Sequence, residues 1–280
     1  MTMHFFVNLP LSYAAADQSY LEMIVGRGIC PELGMDTVAV QDLPESWHIK
    51  TAALLREKGL ACSVHLPFFD LHPGSLNDAV LEASRATLYR AAGLARLYGP
   101  CLLVGHPAYD RGQHPPRHDE WLRRSTETWR TVREHAAMAP LRLENTHDIS
   151  PEPLAALIDE LTAKGGEDGG AGICFDAGHW FSFGRGSRDP AGLEKWLDVF
   201  GTRIRHMHLH DNDGSDDQHL GLGSGRIPWS RIFAGLEQRG VRATVTLEPH
   251  SEKDFDTSMR FLQSETSAVQ ALRRVALPRS

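Results

Sequence analysis

An α/β fold, a (β/α)8 TIM barrel running as a single domain over residues 1–280, is predicted by three features of the sequence. Eight short apolar runs alternate with eight helical stretches, which implies a parallel sheet closed on itself. Six of those runs end in a His, Glu or Asp, as expected where strand ends open into a site. No composition shift or linker divides the chain.

Taken in order, His4 to Asn8 (HFFVN) reads as the first strand and Asp17 to Val25 as a helix. After a Gly/Pro connection, Asp36 to Gln41 (DTVAVQ) reads as the second strand because of its β-branched valines. Glu45 to Lys58 is a helix stopped by Gly59, and Leu60 to His65 (LACSVH) is the third strand. The helix from Asn77 to Tyr98 ends at Gly99-Pro100, and Cys101 to His106 (CLLVGH) follows as the fourth strand. The polar loop from Pro107 to Asp119 is long enough to cover a site.

Glu120 to Ala137 is the next helix and Leu141 to Asn145 (LRLEN) the fifth strand. Pro151 to Lys164 is a helix with proline in its first turn. The run GGEDGGAG lacks the Lys-Ser/Thr of a phosphate loop and precedes a strand rather than following one, so it reads as a plain connection. Gly172 to Asp176 (GICFD) is the sixth strand, Asp189 to Phe200 a helix, and Arg203 to His210 the seventh strand. A helix from Pro228 to Arg239, an eighth strand from Ala243 to Glu248 (ATVTLE) and a helix from Phe255 to Arg274 complete the order, with Pro278 to Ser280 as a frayed end.

Lys+Arg 29 against Asp+Glu 36 gives a net charge of −7, which argues against a general nucleic-acid binder. A small-molecule substrate is expected instead. No run of apolar residues is long enough to span a membrane and no secretion leader is evident. The 4 cysteines include no CxxC, and Cys62, Cys101 and Cys174 lie in apolar runs, so they read as buried thiols of a cytoplasmic protein.

The seventh strand, in RIRHMHLHD, places His206, His208 and His210 on one side and Met207 and Leu209 on the other. Its companions at other strand ends are His65, His106, Glu144, Asp176 and Glu248, with His179 three residues after Asp176 and Asp217 and His219 in the loop beyond the seventh strand. Carboxylates gathered at one rim would repel one another and take up protons unless cations intervene. Neutral imidazoles beside them suit Zn, Mn or Fe. Any one of these histidines alone would read as a packing or surface group; their joint placement is the signal.

The pieces VHLP, VGHP, LENT, CFDAGH, HLHD, DQH and LEP, in this order from the third strand to the eighth, resemble the xylose-isomerase-like TIM barrels. Within these they are most similar to the endonuclease IV group (AP endonuclease family 2) of trinuclear metal hydrolases. The resemblance implies up to three divalent ions, Zn or Mn with Fe as a further option. His65 and His106 would hold one, with Glu144 bridging to a second. Asp176, His208 and Glu248 would complete the second, and His179, Asp217 and His219 would hold the third.

The same superfamily contains single-metal sugar isomerases and epimerases, which the chain resembles at Glu144, Asp176, His208 and Glu248 and, in some of them, also at His179. His65, His106, Asp217 and His219 favour the hydrolase, because a one-metal sugar site has less need of them. In the hydrolase reading a metal-bound hydroxide, positioned at Glu144, attacks a phosphodiester. In the sugar reading Glu144 and Glu248 form an acid/base pair on opposite sides of a substrate carbon. Abasic DNA is the substrate of endonuclease IV relatives, but the acidic charge points to a small metabolite. VHLPFFD and VGHPAYD are similar to a branch that includes cobamide-remodelling phosphodiesterases, which cut the nucleotide loop of vitamin B12-type cofactors. Phe68, Trp180 and Phe181, next to predicted ligands, are candidate walls for a ring-bearing substrate, and Arg226 a candidate phosphate contact.

Overall fold

The computed structural model describes residues 4–110, 112, 114, 117–163 and 170–277. The elements run β1 (Phe6–Pro10), α1 (Leu11–Ala16), α2 (Ser19–Gly26), β2 (Cys30–Gly34), α3 (Thr37–Gln41), α4 (Glu45–Glu57), β3 (Ser63–His65), α5 (Asp78–Ala95), β4 (Leu103–Gly105), α6 (His118–His135) and β5 (Leu141–Glu144). They continue with α7 (Glu152–Thr162), β6 (Ala171–Asp176), α8 (Ala177–Ser182), α9 (Leu193–Phe200), β7 (Ile204–Leu209), α10 (Trp229–Gln238), β8 (Thr244–Leu247), α11 (Glu252–Gln263) and α12 (Ser267–Val275). The strand order is that of a closed (β/α)8 barrel, β1-β2-β3-β4-β5-β6-β7-β8, and the strand pairings described are all parallel. By internal packing the chain divides into two compact units, one of residues Phe6–Leu143 and Ala156–Ala171, the other of Met1–Phe5, Glu144–Ala155 and Gly172–Ser280.

In the unit built on Phe6–Leu143, β1 pairs with β2 from Phe6↔Cys30 to Pro10↔Gly34. The second strand is therefore CPELG, and the expected strand DTVAVQ is a helix. Asp36 decides it: one carboxylate oxygen accepts the Ala39 amide at 2.9 Å and caps α3, and the other accepts the Ser12 amide at 3.1 Å. That local cap outweighs the β preference of two valines. The long helix α5 begins where expected, with Asn77 accepting the amides of Ala79 and Val80. β4 is backed by the indole of Trp129, and only glycine fits there, because a Cβ on Gly105 would lie 2.5 Å from the ring. Val64, Leu103, Val104 and Leu141 are fully buried.

In the other unit, β6 pairs with β7 through Asp176↔His208, and β7 with β8 through His206↔Thr244 and His208↔Thr246. Met207 and Leu209, on the opposite face of β7, are each 1% exposed. The helix expected over Phe255 to Arg274 is two. Ser264 turns extended, and the Thr266 hydroxyl accepts the Val269 amide and starts α12 afresh. The Gly-rich run and Pro278 to Ser280 lie at least in part outside the described residues. Among the described residues no helix is long and apolar enough to cross a membrane.

Candidate metal centre

Glu144 ends β5, Asp176 ends β6, His208 lies near the end of β7 and Glu248 follows β8. All four are buried, the carboxylates at 1%, 0% and 7% exposure. The His208 Nδ1 faces all three carboxylates, at 3.3 Å from Glu144 and from Glu248 and 3.8 Å from Asp176. Backbone pairing fixes this geometry on both sides. Asn145 receives the Asp176 amide on its Oδ1 at 3.0 Å and donates from Nδ2 to the Asp176 carbonyl at 2.9 Å, locking the end of β6 beside β5.

Asp176 also caps α8, a helix absent from the expected order because its six residues follow the strand without a turn. Its Oδ1 accepts the His179 amide at 2.6 Å. The cap swings the His179 ring back over the strand ends, with Nδ1 at 2.9 Å from Glu144 and 3.0 Å from the Asn145 carbonyl. The His179 Nε2 then lies 3.2 Å from Asp217. His219 reaches the same Asp217 oxygen from the other direction at 3.0 Å, while its Nδ1 meets the Glu248 carbonyl at 2.9 Å.

Asp217 and His219 owe their placement to Asp211. Its backbone forms a two-bond bridge with Leu220. Its buried carboxylate accepts the amides of Asn212, Gly223 and Ile227 and the Trp229 indole N–H. The closed loop leaves His219 at φ 50, a left-handed conformation uncommon outside glycine but met more often for His than for bulkier residues.

The unit built on Phe6–Leu143 holds a pair of imidazoles of its own. His65 ends β3 and His106 follows β4, with ring centroids 4.9 Å apart. The His65 Nδ1 meets the Leu66 carbonyl at 2.9 Å. Phe68 covers the pair, stacked on His106 at 4.3 Å and edge-on to His65 at 5.3 Å.

The electrostatics set burial against pairing of unlike charges. Burial pushes Asp176 up, but His179 and His210 beside it outweigh that and hold it below the ordinary carboxylate range. Burial pushes Glu248 up, and it stays raised. Burial also disfavours charge on His179, yet Asp176, Asp217 and Glu144 raise it well above an ordinary imidazole. His219 is raised to about 9, its burial more than offset by Asp217 first and then Glu248. Protons on the His179 and His219 imidazoles thus offset the carboxylates buried beside them. The donor set fits divalent ions: His208 faces three carboxylates within 3.8 Å, and His179 and His219 meet on Asp217 at 3.2 and 3.0 Å. In His65, His179 and His219 the Nδ1 meets a backbone carbonyl, the arrangement by which an imidazole would turn Nε2 toward an ion.

Other expected residues are placed differently. β7 ends at Leu209, so His210 follows the strand, and His206 binds the hydroxyls of Thr244 and Thr246 at 2.7 and 2.9 Å and ties β7 to β8. Trp180 and Phe181 are 1% and 5% exposed and serve as packing. On α8 they turn inward because His179 turns toward the carboxylates. Trp180 does line a cavity of about 210 Å³ with Arg185, Lys195 and Trp196, but none of the metal-type donors lines it. The Arg226 side chain is exposed. Phe68, 37% exposed, remains a wall beside imidazoles. His210, expected on the β7 stripe, belongs to the cluster although the family resemblance assigns it no role. Its Nε2 is 3.1 Å from Asp176.

Against known proteins, a family model described as Xylose isomerase-like TIM barrel matches residues 29–265. Among curated relatives, the uncharacterized protein MJ1311 of Methanocaldococcus jannaschii is 29% identical over 71% of this chain and 68% of its own. A protein described as probable endonuclease 4 of Moorella thermoacetica is 27% identical over 61% of this chain and 63% of its own. Among solved structures, a D-tagatose 3-epimerase-like protein superposes with a TM-score of 0.70 at 26% identity, covering 98% of both chains. The TTHB071 protein of Thermus thermophilus, from a crystal soaked with ZnCl2, superposes with a TM-score of 0.72 at 27% identity, covering 93% of this chain and 97% of its own.

Proposed function

The chain belongs to the xylose isomerase-like TIM barrel family, an enzyme superfamily with endonuclease and sugar epimerase members, and from that premise we propose a metal-dependent hydrolase that cleaves a phosphodiester in a small metabolite. The observation that carries this reading is the meeting of His179 and His219 on Asp217, at 3.2 and 3.0 Å. A single-metal sugar site is served by Glu144, Asp176, His208 and Glu248. A second group of donors beside it supports more than one ion, which suits a phosphoryl group whose several oxygens gain charge during cleavage.

His208, Asp176 and Glu248 would hold one ion with Glu144, His179, Asp217 and His219 another, and His65 and His106 a further one. Bound ions would polarise the phosphoryl oxygens and lower the pKa of a water. Glu144, 1% exposed, is the chain's own candidate to orient that water and take its proton. The acidic net charge of −7 supports a small substrate over DNA, and Phe68 supports one that carries a ring, such as the nucleotide loop of a cobamide. Cys30, Cys62 and Cys174 are buried thiols, in keeping with an enzyme of the reducing cytoplasm.

The second reading is sugar epimerisation, favoured by the 26% identity with the D-tagatose 3-epimerase-like structure over nearly the whole chain. There Glu144 and Glu248, both against His208, would pass a proton across a substrate carbon. Elemental analysis of the purified protein, with a phosphodiester panel (a cobamide and a chromogenic diester) and a ketose panel, separates the two. Two or three ions per chain with diester turnover is the expected result. One ion with ketose turnover and no diester cleavage overturns the hydrolase.

A further inference from the structure

We infer that His210 is a positioning residue of this centre and not a metal ligand: it donates from Nε2 to Asp176 and fixes the direction of that carboxylate. The inference rests on the metal reading above. Distances alone would suggest a ligand, since the His210 Nε2 is 3.1 Å from Asp176, 3.6 Å from Asp217 and 4.0 Å from Glu248. The other ring nitrogen decides between the roles.

A histidine that binds metal through one nitrogen carries its proton on the other, and that N–H is nearly always given to a carbonyl, carboxylate or water. His65, His179 and His219 have such an acceptor at Nδ1. The His210 Nδ1 is buried and has no partner among the described residues. Ligation through Nε2 would therefore leave a buried N–H without an acceptor, an unfavourable arrangement. The other tautomer leaves only a bare lone pair at Nδ1 and places the proton on Nε2, pointing at Asp176.

The surroundings hold the ring in that pose. One face lies against His219, with centroids 3.9 Å apart and planes 11° from parallel, and His219 is stacked in turn on His250 at 4.0 Å. The ring also depends on Gly178, where a Cβ would come within 2.0 Å of the His210 Cε1. The Asp176 carboxylate is thereby held at both oxygens, Oδ1 by the His179 amide and Oδ2 by His210. A carboxylate fixed in this way presents its remaining lone pairs in one direction, and loss of such an outer partner typically weakens metal binding by about 10–100-fold.

The test is zinc binding to the full chain by competition with a chromophoric chelator, alongside long-range proton–nitrogen NMR of the His210 ring in the metal-free protein. His210→Gln keeps an N–H donor near the Nε2 position but is a poor zinc ligand. His210→Ala should bind the wild-type number of zinc ions at saturation with affinity reduced about 10–100-fold, and His210→Gln should bind the same number near wild-type affinity. The NMR should show the proton on Nε2. Loss of one zinc equivalent in both variants, unchanged affinity in His210→Ala, or the proton on Nδ1 overturns the proposal. If wild type binds no zinc, the metal reading fails by itself, and the ring tautomer still decides whether His210 donates to Asp176.

Discussion

Two regions of this molecule hold imidazoles at strand ends, and they hold them differently. In residues Glu144–Ala155 and Gly172–Ser280, His179, His208 and His219 are matched with Glu144, Asp176, Asp217 and Glu248, and backbone carbonyls hold the Nδ1 atoms of His179 and His219. In Phe6–Leu143, His65 and His106 lie under Phe68. The first arrangement compensates charge, and its Glu144, Asp176, His208 and Glu248 are what either enzyme reading needs. The second is a pair of imidazoles with an aromatic cover, and only the hydrolase reading gives it a chemical task.

Breaking one region at a time is the sharpest use of this contrast. Glu248→Ala should abolish turnover in either enzyme class, because it removes a carboxylate that faces His208. A lost transition-state interaction of ~3 kcal/mol already lowers the rate by about two orders of magnitude. His106→Ala should be comparably severe for diester cleavage if the His65–His106 pair binds an ion. Near wild-type ketose turnover in His106→Ala would instead reduce that pair to packing and favour the epimerase.

The contrast also bears on how much could be read from the chain. Donors closing strand-like runs were legible, because strand period and a terminal His or carboxylate are local features, and His65, Glu144, Asp176 and His208 indeed lie at or near strand ends. The second strand was not legible. CPELG carries a proline and TVAVQ carries β-branched residues, yet Asp36, acting through a cap and a distant amide, reversed the two. α8 was hidden because the residue that ends β6 is also its cap. The separation of His206 from His208 depends on threonines of β8 that align only once the strands pair. Trp180 and Phe181 were adjacent to a ligand in sequence, but a helix turns neighbours to different sides.

A second test uses the charge matching itself. His179 is raised well above an ordinary imidazole and His219 to about 9, so at neutral pH both carry protons before an ion enters. Binding must displace those protons, and zinc affinity should therefore rise with pH from neutrality through about 9. Calorimetry in buffers of different ionisation enthalpy should report net proton release at pH 7. Binding without proton release would show that the imidazoles are neutral in the free protein and that the carboxylates bear the compensation alone.

The loop carrying Asp217 and His219 offers a smaller effect, on stability. Asp211→Ala removes the acceptor for three amides and the Trp229 indole, and each buried donor left unpaired costs ~1–3 kcal/mol. Chemical denaturation should show a loss of more than ~3 kcal/mol, with Asp211→Asn retaining part of it. Zinc sites served by Glu144 and His208 should survive in any folded population, whereas those using Asp217 and His219 should weaken. Equal weakening of both would mean that the loop and the strand ends form one cooperative unit.

The smallest effect concerns Asp148, which lies close to the cluster yet pairs with none of its donors by hydrogen bond. It is 7% exposed, its carboxylate accepts the Thr146 amide at 2.9 Å, and burial raises it to about 6. An unfolded chain would release this proton near pH 4, so between about pH 4 and 6 the folded protein binds more protons than the unfolded one. Stability attributable to Asp148 is therefore full below that window and falls as pH rises through it. Asp148→Asn keeps an acceptor for Thr146 and removes the charge. In metal-free protein the variant should match wild type at pH 4, gain on it through pH 6 and hold a constant advantage of about 3 kcal/mol above. Unfolding curves that stay parallel across the window would show that Asp148 is ionised in the folded state at the same pH as in the unfolded one.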